Sequence, residues 1–246
     1  MTSPEQPIRI TPAMLLSRRV DFERRMRRTP PVTLALIAVL GVIFAGEVGV
    51  GALDGRDAIV AAGALERSAV AAGEYWRLLT APFLHGGAEH FVSNAIALFV
   101  LGMVCEHAFG RSQFVILYLT SALGGSLLSL ILNPGPSVGA SGAIFGLQGA
   151  AIVLFRRHRA RLLMRDRRIG LVLLAWALYS IVGGFFTPYI DNGAHLGGAG
   201  AGALVGHRLH PTVLDPLPPE RWPALRRWLA VYAALLAYAA AAWLLH

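Results

Sequence analysis

Long apolar runs, broken by short Arg-rich or Gly/Pro-rich segments, set the pattern of this chain. A helix needs about 20 residues to cross roughly 30 Å of hydrocarbon, and fewer where it starts inside a cavity. Seven candidate spans result: Pro31 to Ala52, Phe91 to Phe109, Phe114 to Leu132, Ser141 to Phe155, Gly170 to Phe186, Ala194 to Gly206 and Trp228 to Leu245. The fourth and sixth are short and make sense only as partners within a bundle. The pattern therefore predicts an all-α, polytopic helical membrane protein. A polar arm is expected over 1–29, a helical core over 30–210 with a long loop at 53–88, and a linker with a seventh span over 211–246.

Composition agrees: 55% of the 246 residues are hydrophobic and the mean hydropathy is +0.57, above ordinary globular domains. All 22 cationic side chains are Arg, and the formal charge is +8. In a soluble chain such a balance would suggest nucleic acid, but here the Arg distribution is a topology signal, because flanking Arg is retained on the cytoplasmic side. Seven Arg precede Pro30, Arg111 follows the second span, seven lie between Arg156 and Arg168, four lie between Arg208 and Arg227, and only Arg56, Arg67 and Arg77 remain. With the N-terminus inside and all seven spans crossing, every Arg-rich segment falls on one side. The first 29 residues hold no apolar core of signal-peptide type, so the N-terminus is expected in the cytoplasm. The loop from Leu53 to Ala88 then lies outside. Its stretch from Tyr75 to Leu84 suits either an interfacial anchor or a place beside an active site. Cys105 is the only cysteine, which excludes an intrachain disulfide and a Cys-based zinc site. The absence of Lys and the wealth of Ala and Arg point to a GC-rich bacterial genome and hence an inner membrane.

Polar side chains within spans are functional hypotheses by default. They include Glu47, His90, Ser93, Asn94, Glu106, Ser141 and His195. Ser141 sits between Gly139-Ala140 and Gly142, after the turn-rich Asn133-Pro134-Gly135-Pro136, and opens a helix whose first N–H groups are free to face an anion. The soluble-hydrolase elbow is not met, since Ala143 takes its last Gly position. Alone, Ser141 reads more readily as a packing serine. Depth changes that. Ser141 stands about 22 Å and His195 about 20 Å from the Arg-marked boundary, at 1.5 Å per residue. A hydroxyl and an imidazole at matched depth suit a Ser–His dyad. His90 and Asn94 share a helix face, either as oxyanion donors or as an interhelical hydrogen bond. No H-E-x-x-H occurs and no pair of intramembrane Asp, so zinc and aspartyl designs are disfavoured.

These residues resemble the rhomboid family of intramembrane proteases. The resemblance is carried by Glu74-Tyr75-Trp76-Arg77, by His85 with His90 and Asn94, by Gly102 with Glu106 and Gly110, by GASGAIFG around Ser141 and by AHLGG around His195. It covers about residues 30 to 210 and implies a six-helix core plus one extra C-terminal transmembrane helix. By resemblance Ser141 and His195 are catalytic without a third acid, and His90, Asn94 and the Ser141 N–H form the oxyanion hole. The family commonly places Tyr one turn after the serine, packed on the imidazole. Here Phe145 keeps the ring and lacks the hydroxyl. Trp76, Arg77 and Glu106 read as structural, and Gly198, Gly202 and Gly206 strip one face of the sixth span.

The expected activity is that of a serine endopeptidase, needing no cofactor or metal, that cuts single-span membrane proteins near their outer ends. Trp176, Tyr179, Phe185 and Phe186 make the fifth span a candidate gate for lateral access from the bilayer. The alternatives are an inactive rhomboid-like protein that binds transmembrane segments, and a transporter with glycine-notched helices.

Overall fold

The computed structural model describes residues 19–163, 166–187 and 190–245. The first eighteen residues of the expected N-terminal arm lie outside that set. A helix stands at each of the seven apolar runs: α1 (Pro31–Gly49), α2 (Ala88–Phe109), α3 (Arg111–Leu132), α4 (Ser141–Arg157), α5 (Ile169–Phe186), α6 (Asn192–Arg208) and α7 (Trp222–Leu244). Five of these regions are long and apolar enough to cross a membrane, whereas α4 and α6 have 17 residues each. At 1.5 Å per residue that is about 25 Å, less than the hydrocarbon thickness. The chain is a polytopic helical membrane protein with two short helices in its interior.

Local chemistry sets the boundaries. Pro31 opens α1, where its missing N–H costs nothing. Gly110, at φ +79°, breaks α2 from α3. Asn133 ends α3 in an extended conformation, as a residue before proline prefers. α2 starts at Ala88, so His90 and Asn94 both lie in its first two turns.

α4 is the buried axis, packed by α6, α3, α5 and α2. Its seam with α6 is a contact of backbone on backbone. A Cβ built on Gly198 would overlap the Gly142 carbonyl, one on Gly202 the Gly146 carbonyl, and one on Gly206 would lie 2.6 Å from the Ala150 Cβ. The expected glycine-stripped face of the sixth span is thus turned onto α4. Without a hydrophobic drive between helices in lipid, such close approach supplies the packing that associates them.

Buried polar side chains join elements at backbone groups that helices leave unpaired. At the Arg-rich end, Glu106 of α2 accepts from the N–H groups of Val32 (3.1 Å) and Thr33 (2.8 Å) and from the Thr33 hydroxyl (2.8 Å). It caps the N-terminus of α1, the structural role expected for it. Gln113 bonds the carbonyls of Phe109 and His210 and accepts from the His210 N–H, fixing the segment after α6 to the α2–α3 turn. The described part of the N-terminal arm docks at this end too. Phe22 is fully buried with its ring edge on Phe155, and its N–H donates to Asp166 at 2.9 Å.

The segment 53–88 folds as short helices at Arg56–Ala61, Arg67–Ala71 and Arg77–Thr80, then a 3-10 turn at Ala81–Phe83. Arg77 organises it, bonding Glu74 (2.6 Å) and the carbonyls of Val60 and Ala64. α7 packs on α3, where Tyr232 meets Thr120 at 2.5 Å. Its far end reaches this segment, where the Trp243 indole N–H donates to the Ala62 carbonyl at 2.9 Å. In contrast, α5 buries only Leu173 and Gly184 fully. Replacing Glu106 by Leu leaves three donors at the start of α1 unpaired, and we expect thermal unfolding in detergent to show a loss of about 2 kcal/mol or more. Glu106→Gln, which keeps an acceptor oxygen, is expected to lose less.

Candidate active site

The chain reaches Ser141 along a run that the 53–88 segment holds at two places. Leu65 and Ser137 exchange both backbone hydrogen bonds at 2.9 Å, and the Gly139 N–H donates to the Ala81 carbonyl at 3.0 Å. The 53–88 segment therefore lies beside the entrance to α4 at Ser141. Gly139 adopts φ +120°, and a Cβ there would lie 2.6 Å from Cε1 and 2.7 Å from Nε2 of the His90 ring. Only glycine lets the chain pass the His90 ring at this point. The same Cβ would stand 3.7 Å from Nδ2 of Asn94, so the predicted donor pair of α2 faces the approach to Ser141.

The tautomer of His90 follows from its neighbour. The Gly86 N–H donates to His90 Nδ1 at 3.4 Å, so a neutral ring carries its proton on Nε2, on the side toward Gly139. Asn94 uses one amide hydrogen on the His90 carbonyl at 3.0 Å, which leaves the second for another acceptor. No side chain caps the first turn of α4, so its N–H groups stand free beside them.

His195 comes to Ser141 through two contacts. A Cβ on Gly142 would lie 3.2 Å from the Ala194 carbonyl oxygen, so the residues next to Ser141 and His195 touch through backbone. Phe145, one turn after Ser141 on the same face of α4, stacks on the His195 imidazole with ring centroids 4.1 Å apart and planes 15° from parallel. His195 is 8% and Phe145 9% exposed, while Ser141 is half-buried. Nδ1 of His195 is buried without a hydrogen-bond partner among the described residues. Ser141, His195, His90, Asn94, Gly139, Gly142 and Phe145 therefore occupy one end of the bundle, and the arrangement can activate a hydroxyl and hold an oxyanion.

Two supporting groups were not singled out as such in the sequence. His85 is fully buried against the edges of Phe44, His90 and Phe91, and its backbone N–H donates to the Glu47 carboxylate of α1 at 2.9 Å. Burial, helped by the neighbouring His90, lowers the pKa of His85 from 6.5 to about 4. Asp191 caps α6, accepting from the Ala194 N–H at 2.9 Å, from Asn133 at 3.0 Å and from the Ser129 hydroxyl, with the Ser137 hydroxyl beside it. Burial alone would raise its pKa, but those hydrogen bonds outweigh burial and hold the carboxyl below its usual range. Its sequence signal is the cap itself, an Asp three residues ahead of a helical N–H.

Two outcomes are expected. Gly139→Ala combines a positive φ with overlap at His90, so it is expected to destabilise by more than about 1 kcal/mol in thermal unfolding. For His85 the folded pKa is the lower one, so its stabilisation is complete above 6.5 and is lost as the pH falls from 6.5 toward about 4. Melting temperature should fall across that window, and His85→Phe should flatten the fall. An equal slope in the variant would show that another group is responsible. Asp191 acts only at lower pH, below its ordinary value of 3.8.

A family model described as the rhomboid domain matches residues 72–212. Rhomboid protease GluP of Bacillus subtilis is 37% identical over 170 residues, covering 69% of this chain and 33% of that protein. RHOMBOID-like protein 5 of Arabidopsis thaliana is 41% identical over 147 residues, covering 58% of this chain and 47% of that protein. Rhomboid protease AarA of Providencia stuartii is 30% identical over 199 residues, covering 71% of this chain and 70% of that protein. The chain thus spans less than half the length of the first two relatives and most of the third. It belongs to the rhomboid family.

Proposed function

We propose that this protein is an intramembrane serine endopeptidase in which Ser141 is the nucleophile and His195 its base. The observation that carries this reading is the stack of Phe145 on His195 at 4.1 Å, one helical turn from Ser141. It holds the imidazole on the face of α4 that bears the serine. The His195 ring takes the proton from the Ser141 hydroxyl as its oxygen attacks the scissile carbonyl, then gives that proton to the departing amine. Water, deprotonated by the same ring, next releases the acyl group and restores Ser141. The carbonyl oxygen gains its negative charge beside the Ser141 N–H, His90 Nε2–H and the second Asn94 hydrogen, donors already in place before reaction.

The substrates of this reading are single-span membrane proteins. Their helix unwinds near its outer end, since only an extended backbone exposes a carbonyl to Ser141. Lateral access runs past α5, where Tyr179 (78%) and Phe186 (83%) are exposed and most of the helix is free of packing. The Arg distribution supports an N-terminus in the cytoplasm and a site opening on the opposite side of a bacterial inner membrane. The arm over 1–29, the core over 30–210 and the appended helix over 211–246 divide the chain accordingly. The family includes relatives named both proteases and rhomboid-like proteins, so binding without cleavage is the competing outcome.

The test is cleavage of a labelled single-span substrate by the purified protein in liposomes. Ser141→Ala and His195→Ala are each expected to lose at least about 10³-fold in rate, and His90→Ala or Asn94→Ala about 10²-fold. Cleavage that survives both dyad substitutions sinks the dyad. No cleavage of any substrate, together with no labelling of Ser141 by a fluorophosphonate, transfers the reading to a protein that binds transmembrane segments.

A further inference from the structure

The carboxylate of Asp191 lies where three elements of the site meet. Oδ1 accepts from the Ala194 N–H in the first turn of α6, and the His195 N–H donates to the Asp191 carbonyl at 3.2 Å. Oδ2 accepts from Ser129 in the last turn of α3 and from Nδ2 of Asn133, the residue that ends α3. The Ser137 hydroxyl, in the run that enters α4, lies beside this carboxylate. Behind the cluster, a Cβ on Gly125 of α3 would stand 3.0 Å from the Ala194 carbonyl, so α3 and α6 meet backbone to backbone at the same level. Three hydrogen bonds therefore converge on one side chain, with a further hydroxyl beside it. An ionised carboxylate offers only acceptors, about four lone-pair sites in all, whereas an amide would turn an NH2 group onto a donor.

The imidazole is not among the hydrogen-bond partners of Asp191, although the two groups interact electrostatically. Nδ1 of His195 has no partner among the described residues, so Asp191 is not the acid of a triad. Its bonds go to the backbone ahead of His195 and to the run ahead of Ser141. We propose that Asp191 is a positioning residue that fixes the first turn of α6 relative to the entrance of α4 and so sets the distance between His195 and Ser141. The inference rests on the dyad reading above. A displacement of about 1 Å between reacting groups can cost 10²-fold in rate, so loss of this clamp acts on turnover and leaves substrate affinity in place.

The experiment uses the full chain in liposomes with the labelled single-span substrate, beside Ser141→Ala and His195→Ala. Asp191→Asn is expected to lower kcat about 10- to 100-fold with KM within about twofold. Asn caps a helix as well as Asp does, so a role in capping alone leaves kcat at the wild-type value, and that result overturns the proposal. Exchanging the two partners, Asp191→Asn with Asn133→Asp, restores a carboxylate facing an amide and is expected to recover at least about fivefold in kcat over Asp191→Asn. Ser129→Ala removes one donor without touching α6, so it reads the clamp even where an Asp191 variant fails to fold; a severalfold fall in kcat is expected. Unchanged kcat in both Ser129→Ala and Asp191→Asn, with Ser141→Ala and His195→Ala inactive, removes the clamp and leaves the dyad standing. Full cleavage by Ser141→Ala or His195→Ala removes the dyad, and this inference with it.

Discussion

The contact of α4 with α6 through bare backbone is the constraint on which the rest of the molecule depends. Lipid tails are as apolar as leucine, so two helices gain little by hiding apolar side chains from them. Close approach of the main chains gives the dispersion and carbonyl contacts that replace that drive. Glycines at 142, 146, 198, 202 and 206 make this approach possible. Ser141 and His195 stand at one end of the seam, each next to a residue that takes part in it. The site is thus an extension of the tightest packing in the bundle.

Around this seam, polar side chains act mainly on backbone ends, whether buried like Glu106 or exposed like Arg67. Glu106 holds the start of α1, Asp191 the start of α6, and Arg67 the last carbonyls of α3, at Leu130, Ile131 and Asn133. In a medium without water an unpaired N–H or C=O costs several kcal/mol. Each such side chain also comes from a different element than the end it serves, or reaches a second one. Satisfying a helix end and fixing its neighbour are here one interaction.

Much of this was readable from the sequence because it depends on composition along short windows. The seven apolar runs became helices within a few residues of their expected limits, and the short fourth and sixth runs became the interior pair. The glycine period of α6 gave its packing face. The resemblance implied an aromatic ring one turn after Ser141, the position of Phe145. Other features were not legible, because tertiary contacts decide them. Helices α1 and α5 are apolar nearly all round, so no stripe says which face meets a neighbour. The 53–88 segment could have lain on the membrane surface. Its place beside Ser141 is set by Leu65 and Ala81 bonding a run more than fifty residues further on. Asp191 looks like an ordinary helix cap until Ser129, Ser137 and Asn133 are seen to share it. The docking of Phe22 depends on Asp166, which is 144 residues away.

The bond from Trp243 to the Ala62 carbonyl joins residues 181 positions apart. During synthesis the 53–88 segment leaves the ribosome early, yet its tie to α7 forms only once that helix has been made. A nascent or truncated chain therefore carries both Ser141 and His195 before this segment is closed by α7. Contacts of such sequence separation form late and slowly. The order of synthesis thus delays completion of the surface beside Ser141 until α7 has been made.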